Sequence, residues 1–400
     1  MKQLKGNAVI GQSGGCTPVI NCSLAGVIDA VSKHSCIDNL YGMWNGVVGL
    51  LNEDFTNLFK QDKDIIKQLY NTPSAALGSC RYKLSKEDTK KAVKILDKNN
   101  IHYMYLIGGN DTAETTLKIS QHAEEVGYPL RVIAIPKTID NDLPFTDHCP
   151  GYGSVARFIA QTVKEAARDT HAMKLVDPFK VIEVMGRNSG WLVAAAALGK
   201  QYDEEGPHLL YFPERAFSME QFIEDVRDVY YRFGYAVIVV SETIRDKNGF
   251  RIGAKNNGVK QDSFGHAYVE GTAHALCVAI EENFNQRARF DKPGTIQRMS
   301  MPYISSVDQK EAFGVGHAAV DISIEGKSGV MVTIERKDKK EYDVTYSDVP
   351  VEKIAGVEKY LPDSFINEHS NFITPEFISY ATPLIGDSLP TFARIKDSVI

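Results

Sequence analysis

Short, nearly unbroken apolar runs alternate along the chain with longer stretches in which apolar residues recur at helical spacing. The runs are Asn7–Ile10, His102–Ile107, Arg131–Ile135, Val181–Val184 and Ala236–Val240. Each is rich in Val, Ile or Tyr, and a run apolar at successive positions suits a strand covered on both faces. Helical spacing covers Val19–Val31, Lys86–Asn99, Asp111–Val126, Gly153–Thr170, Ser189–Leu198 and Met219–Phe233. Strand–helix alternation of this kind predicts an α/β fold with mostly parallel sheets. Towards the C-terminus, GVMVTIERKDKKEYDVTYSDV predicts two strands around a charged turn at Lys337–Glu341. From Val351 onward the pattern is mixed and carries no motif.

Each of the five predicted strands runs into a polar loop: GQSGGCTPVIN, GGNDT, PKTIDND, MGRNSGW and SETIR in turn. In open α/β sheets ligands bind at the carboxyl edge of the strands. Five such loops together predict a site between two sheets. A chain of 400 residues exceeds what one hydrophobic core usually covers, so two domains are expected.

Charge and composition narrow the partners. A net charge of −6 argues against a general nucleic-acid or membrane binder, so an anionic ligand must be held by local cations. No run approaches the roughly 18 apolar residues of a membrane span. The start, MKQLKGNAVIGQSGG, reaches glycines before a leader-like apolar stretch forms. The six cysteines, Cys16, Cys22, Cys36, Cys80, Cys149 and Cys277, include no C-x-x-C pair. Free thiols in a reducing, cytoplasmic setting are therefore expected, with no zinc site.

The candidate chemistry lies in the loops. In PKTIDND, Asp140 and Asp142 are two apart after a strand, so in extended backbone both carboxylates face one side. One can take a proton from an attacking hydroxyl while the other orients the nucleophile or a metal, and Lys137 and Thr138 beside them suit phosphate oxygens. The plainer alternative is that D-N-D caps a turn. GQSGG and GGNDT are strand–glycine–helix turns whose backbone N–H groups can cradle phosphate, although neither fits the Walker pattern. Gly151-Tyr152-Gly153-Ser154-Val155-Ala156 fits a dinucleotide fingerprint but follows no strand, so its required context is missing. Arg81, Arg187, Arg289 and Arg298 are candidate phosphate grips. Glu242, at a strand end, can accept from sugar hydroxyls or cap the next element.

SGGCTPVIN, LGSCR, GGND, PKTIDND, MGRNSGW, SET and GTIQR occur in one order. In this the chain resembles the 6-phosphofructokinases from about Asn7 to about Ala355. The resemblance implies two Rossmann-like three-layer α/β domains with the active site in the cleft between them. One domain would comprise residues 1–146 plus about 299–348, and the other about 147–298 plus 349–400. It implies that Asp140 is the base for the sugar 1-hydroxyl, with Lys137, Thr138, Asp142 and Arg187 completing the catalytic set. Gly14, Arg81, Gly109, Asp111 and Thr112 would contact the phosphoryl donor. Thr138, Asp140, Met185, Gly186, Arg187, Glu242, Arg289 and Arg298 would contact fructose 6-phosphate. A further sugar-phosphate cation of the family comes from a neighbouring subunit, near Pro178–Lys180 here, and a homodimer or homotetramer is implied.

Two positions resemble the pyrophosphate-dependent branch. ATP-using members typically read GGDG and PGTIDND; here the corresponding glycines are Asp111 and Lys137. A carboxylate at 111 fills and repels the space of an α-phosphate, and Thr115 replaces a glycine that leaves room for a nucleotide. A lysine at 137 brings a cation to the transferring phosphate. The cofactor implied is Mg²⁺, with Asp111 and Asn110 as its candidate protein contacts, although Asn110 stands where the family usually has an acid. Ala25 and Asp29 match effector-site arginines of allosteric members, so no such regulation is expected. The alternatives are an ATP-dependent phosphofructokinase, another GGDG-type kinase, and a non-catalytic regulatory subunit of the same fold.

Overall fold

A computed structural model describes residues 4–253 and 271–395. Among them the strands are, in chain order, β1 Gly6–Gln12, β2 Ile37–Met43, β3 Phe55–Asn57, β4 Ile101–Gly108, β5 Arg131–Pro136, β6 Phe179–Val184, β7 Leu209–Tyr211, β8 Ala216–Phe217, β9 Ala236–Ser241, β10 Arg245–Asp246, β11 Ala288–Asp291, β12 Val330–Arg336 and β13 Val344–Pro350. A seven-stranded sheet has the order β13-β12-β5-β4-β1-β2-β3, and a four-stranded sheet the order β11-β6-β9-β7. The first is parallel except at its edges, where β13 and β3 pair antiparallel. The second is parallel throughout.

The apolar runs are continuous because each inner strand feeds two cores. On β4, Tyr103, Tyr105 and Ile107 enter one buried cluster and Met104 and Leu106 enter another on the opposite face. On β9, Val237 and Val239 point one way, and Ala236, Ile238 and Val240 the other. Each face is covered by helices, as burying this apolar surface requires. The first sheet is built from residues 6–136 and completed by the hairpin at 330–350, while the second uses only residues 179–291.

Register sets up the site. Gln12 at the end of β1 pairs with Ile107 of β4, and Gly108 pairs with Pro136 of β5. In the other sheet, Val184 of β6 pairs with Ser241 of β9. The five carboxyl ends therefore finish level within their sheets, and their loops share one cleft. The GYGSVA segment starts the helix Tyr152–Ala172. Its amide groups at Gly151 and Ser154 each donate to the buried Asp308 carboxylate at 2.9 Å. That helix end is occupied by the protein's own acid, which explains the fingerprint without a dinucleotide.

Candidate active site

The loops converge on a cavity of about 380 Å³. Gln12, fully buried, organises the donor side: its Nε2 donates to Asn21 Oδ1 at 2.9 Å and its Oε1 accepts from Leu77 N at 2.9 Å. Asn21 in turn holds Thr72 and Ala76 at 2.8 and 3.0 Å. The segment after Thr72 is thus pinned to the first glycine loop, with Gly14 N donating to Cys80 O at 3.0 Å. This carries Arg81 to the cavity although it belongs to no strand. Gly14 has φ +78°, and a Cβ there would stand 3.1 Å from Lys137 Nζ. At Gly15 it would stand 2.8 Å from Arg298 Nη1. The two glycines let two cations approach the backbone closely.

Asp140 and Asp142 both line the cavity, but not through an extended strand. After Pro136 the chain turns, and Asn141 between them is left-handed, with φ +54°, a conformation asparagine tolerates. Its amide fixes the turn: Oδ1 accepts from Cys149 N at 3.0 Å and Nδ2 donates to Tyr380 Oη at 3.2 Å. Thr138 Oγ1 accepts from Asp140 N at 3.1 Å, and Ser189 Oγ donates to Asp140 O at 2.9 Å. Burial, then the charges of Asp142 and Glu242, push the Asp140 carboxyl up to about 7, against the pull of Arg187 and Lys137. Burial also raises Asp142, opposed by the Thr138 hydroxyl and Arg187. Lys137 is lowered to about 8 by burial, opposed by Cys16, Asp140 and Asp142. A carboxylate and an amine with pKa values drawn towards neutrality in one cleft mark a site built for proton and charge transfer.

On the other wall, Gly186 has φ +145° and Arg187 φ +49°. The Arg187 carbonyl accepts from Ser241 Oγ at 3.4 Å and from Thr243 Oγ1. A left-handed arginine costs on the order of 1–3 kcal/mol unless its surroundings hold it, and these hydroxyls do so. Gln297 Oε1 accepts from Met185 N at 3.4 Å, bringing the 3-10 turn Gly294–Arg298, and with it Arg298, to the cavity. Glu242 is raised by burial, opposed by Lys292.

Arg289 lies outside this cavity. It sits on the edge strand β11 opposite Lys180, with Nε 2.7 Å from Asp177 Oδ2, while Lys180 Nζ is 2.7 Å from Asp291 Oδ2. Ala25 is buried and Asp29 pairs with Lys33 at 2.6 Å.

The helix Asn110–Glu125 begins at Gly109 with no side-chain cap, which leaves its first N–H groups open to an anion. Thr112 and Thr115 are buried at the cavity wall. Asp111 is half-exposed, and Lys83 stands 3.5 Å from its Oδ1. The Asn110 amide is occupied at both ends: Nδ2 donates to Ile354 O and Val357 O, and Oδ1 accepts from Gly356 N. The sequence reading missed the wall that this segment supplies, formed by Gly356, Glu358 and Tyr360. No motif marks it, because much of its contact is through the backbone.

A phosphofructokinase family model matches residues 7–323. The chain is 38% identical over 399 residues to the pyrophosphate–fructose 6-phosphate 1-phosphotransferase of Rhodospirillum rubrum, with 98% of each chain covered. It is also 38% identical to the enzyme of that name from Halomonas elongata, covering 96% of this chain and 93% of the other. The crystal structure of a pyrophosphate-dependent phosphofructokinase from Nitrosospira multiformis superposes with a TM-score of 0.88 at 35% identity, covering 98% and 94% of the two chains. A family model matched over most of the chain, with relatives 38% identical across nearly its whole length, makes this chain a member of the phosphofructokinase family.

Proposed function

We propose that this phosphofructokinase moves a phosphoryl group from pyrophosphate to the 1-hydroxyl of D-fructose 6-phosphate, giving fructose 1,6-bisphosphate and phosphate. The observation that carries this reading is that Asp111 and Lys137 line one cavity with the Asp140–Asp142 pair. The C1 hydroxyl gives its proton to the Asp140 carboxylate, whose pKa near neutrality suits that transfer. The C1 oxygen bonds to phosphorus as the bridging P–O bond breaks, and that electron pair leaves with the departing phosphate. Lys137 and Arg187 offset the charge on the transferring group and the leaving oxygen. Asp142 and the Thr138 hydroxyl hold the catalytic turn. Gly14, Arg81, Gly109 and Thr112 bind the donor, while Met185, Gly186, Glu242 and Arg298 bind the sugar phosphate. Asp111 limits the donor to two phosphates. The reaction runs usefully in both directions, in glycolysis or gluconeogenesis.

The residues present fit a magnesium ion. Five cationic side chains (Arg81, Lys83, Lys137, Arg187, Arg298) and five acidic ones (Asp111, Asp140, Asp142, Glu242, Glu358) line the cavity, so it has no surplus positive charge for two phosphorylated substrates. Mg²⁺ is commonly held by one or two carboxylates together with substrate phosphates, and Asp111 is the carboxylate we assign to it. The ion supplies charge neutralisation on the phosphate oxygens. The Asn110 amide is engaged by Ile354, Val357 and Gly356. The position of Arg289 on an edge strand beside Lys180 supports a role for it across a protomer boundary, in a homodimer or homotetramer. The two sheets support the two-domain division. All six cysteines are unpaired, in keeping with a reducing cytoplasm. No helix among the described residues is long and apolar enough to cross a membrane. A coupled assay with fructose 6-phosphate and Mg²⁺, run with pyrophosphate and with ATP, tests the reading. Turnover with pyrophosphate is expected, and robust ATP activity with none from pyrophosphate would sink it.

A further inference from the structure

The segment Ile354–Leu361 is fastened to three of the loops that build the site. At the donor loop, Asn110 Nδ2 donates to Ile354 O at 3.0 Å and Val357 O at 2.6 Å, and Gly356 N donates to Asn110 Oδ1 at 2.6 Å. At the catalytic turn, Lys359 N donates to Asp142 O at 2.8 Å, and Lys359 Nζ reaches Thr146 O and Asp147 O at 3.1 and 3.0 Å. At the acceptor loop, Asn188 Nδ2 donates to Glu358 Oε2 at 3.2 Å, Trp191 Nε1 donates to Lys359 O at 3.3 Å, and Leu361 N and Gly190 N share Glu214 Oε1 at 2.9 and 2.8 Å. The Lys359 ammonium lies 5.1 Å from the centre of the Trp191 ring.

The chemistry at position 110 is specific. An asparagine amide donates twice and accepts on its other atom, which matches two carbonyls and one N–H arranged around one point. A carboxylate there would oppose its lone pairs to both carbonyls. At the far end, Glu358 holds Asn188, the residue after the left-handed Arg187. Its carboxylate also lies in the cavity, accepting from Tyr360 Oη at 3.1 Å.

We propose that Asn110 and Glu358 are positioning residues at two ends of one strap: Asn110 anchors Ile354–Val357, and Glu358 thereby holds Asn188 and the Arg187 loop. A residue on the donor loop then sets the geometry of the acceptor side. The kinetic part of this statement rests on the division into donor and acceptor sides given above. The strap itself rests on the hydrogen bonds.

The experiment uses the full chain in a Trp44→Phe background, leaving Trp191 as the reporter, since the sequence has two tryptophans. Asn110→Ala should shift Trp191 emission without any substrate, because the strap carries the Lys359 contacts to that ring. In kinetics, Asn110→Ala and Glu358→Ala should each raise KM for fructose 6-phosphate and lower kcat. The variants lose three and two hydrogen bonds respectively, and the combined loss in kcat/KM should be about tenfold or more. KM for pyrophosphate should stay within about twofold. In the double variant the effects should not add, since both act through one element. Glu358→Gln, which keeps an acceptor for Asn188, should recover most of the loss. Additive effects would overturn the proposal. So would an Asn110→Ala effect confined to pyrophosphate or Mg²⁺ dependence, as expected of a local ligand. Unchanged Trp191 emission would overturn it whatever the donor proves to be, whereas absence of pyrophosphate turnover alone would count against the functional reading and leave the emission test standing.

Discussion

Asp140→Asn should abolish turnover and, at neutral to alkaline pH, make the protein more stable. The carboxyl titrates at 3.8 when free and is pushed up to about 7 in the fold, chiefly by burial and then by Asp142. Between those two values the unfolded chain has released this proton and the folded chain has kept it. Stability therefore falls as pH rises. The slope is about 1.36 kcal/mol per pH unit, so a shift of about three units costs the wild type as much as about 4 kcal/mol by pH 8. An asparagine does not titrate, so the cost disappears while the backbone bonds to Thr138 and Ser189 remain possible. Denaturant or thermal unfolding of both proteins at pH 5 and pH 8 reads this directly. The gain in the variant should grow by about 3 kcal/mol across that interval. A gain equal at the two pH values, or a variant less stable at pH 8, would refute the claim that a buried, proton-holding Asp140 is kept at the expense of stability.

Two other predictions concern further buried charges. The pH profile of kcat/KM should rise through about 7 as Asp140 loses its proton and fall through about 8 as Lys137 loses its own; Lys137→Arg should move the alkaline limb upward, and an unmoved limb would remove Lys137 from the profile. The second concerns His148, which sits between Glu311 Oε2 at 2.5 Å and Asp147 Oδ1 at 2.8 Å. Burial alone would lower it, but the two carboxylates outweigh burial and raise it to about 9. A raised histidine contributes stability that is fully present below its ordinary value of 6.5 and lost as pH rises through about 9. His148→Gln should thus cost as much as about 3 kcal/mol at pH 6 and much less at pH 10, as measured by unfolding midpoints; a cost independent of pH would contradict this.

The inner strands and their loops were legible in the sequence for a physical reason. Strands buried on both faces read as apolar runs, and parallel connections put every following loop at one edge. The edges of the sheets were less so: IDNLYGM on β2 mixes polar and apolar positions because three of its seven residues, Asp38, Asn39 and Tyr41, are not fully buried, and β3 and β11 are short. Within the site, PKTIDND and MGRNSGW supply residues that the structure brings into one cavity, but the path did not follow from spacing. Asp140 and Asp142 share the cavity through a left-handed Asn141, a tertiary result of Cys149 and Tyr380 rather than of strand alternation. Asn110 was a candidate metal contact only through the family resemblance; in the structure its amide is engaged with backbone more than two hundred positions later, and no local pattern encodes that. Arg289, a candidate phosphate grip that belongs to no motif, sits on the edge strand β11 and outside the cavity, a placement that residue type alone does not reveal.

The central claim is that Asp111 and Lys137 together select pyrophosphate. The most direct measurement is the ratio of kcat/KM for pyrophosphate to that for ATP, in the wild type and in Asp111→Gly combined with Lys137→Gly. The account predicts a ratio far above one in the wild type, and a large fall in the double variant as room opens for a nucleotide and the cation at the transferring phosphate is lost. A wild-type ratio below one, or a ratio unchanged by the double substitution, would contradict it.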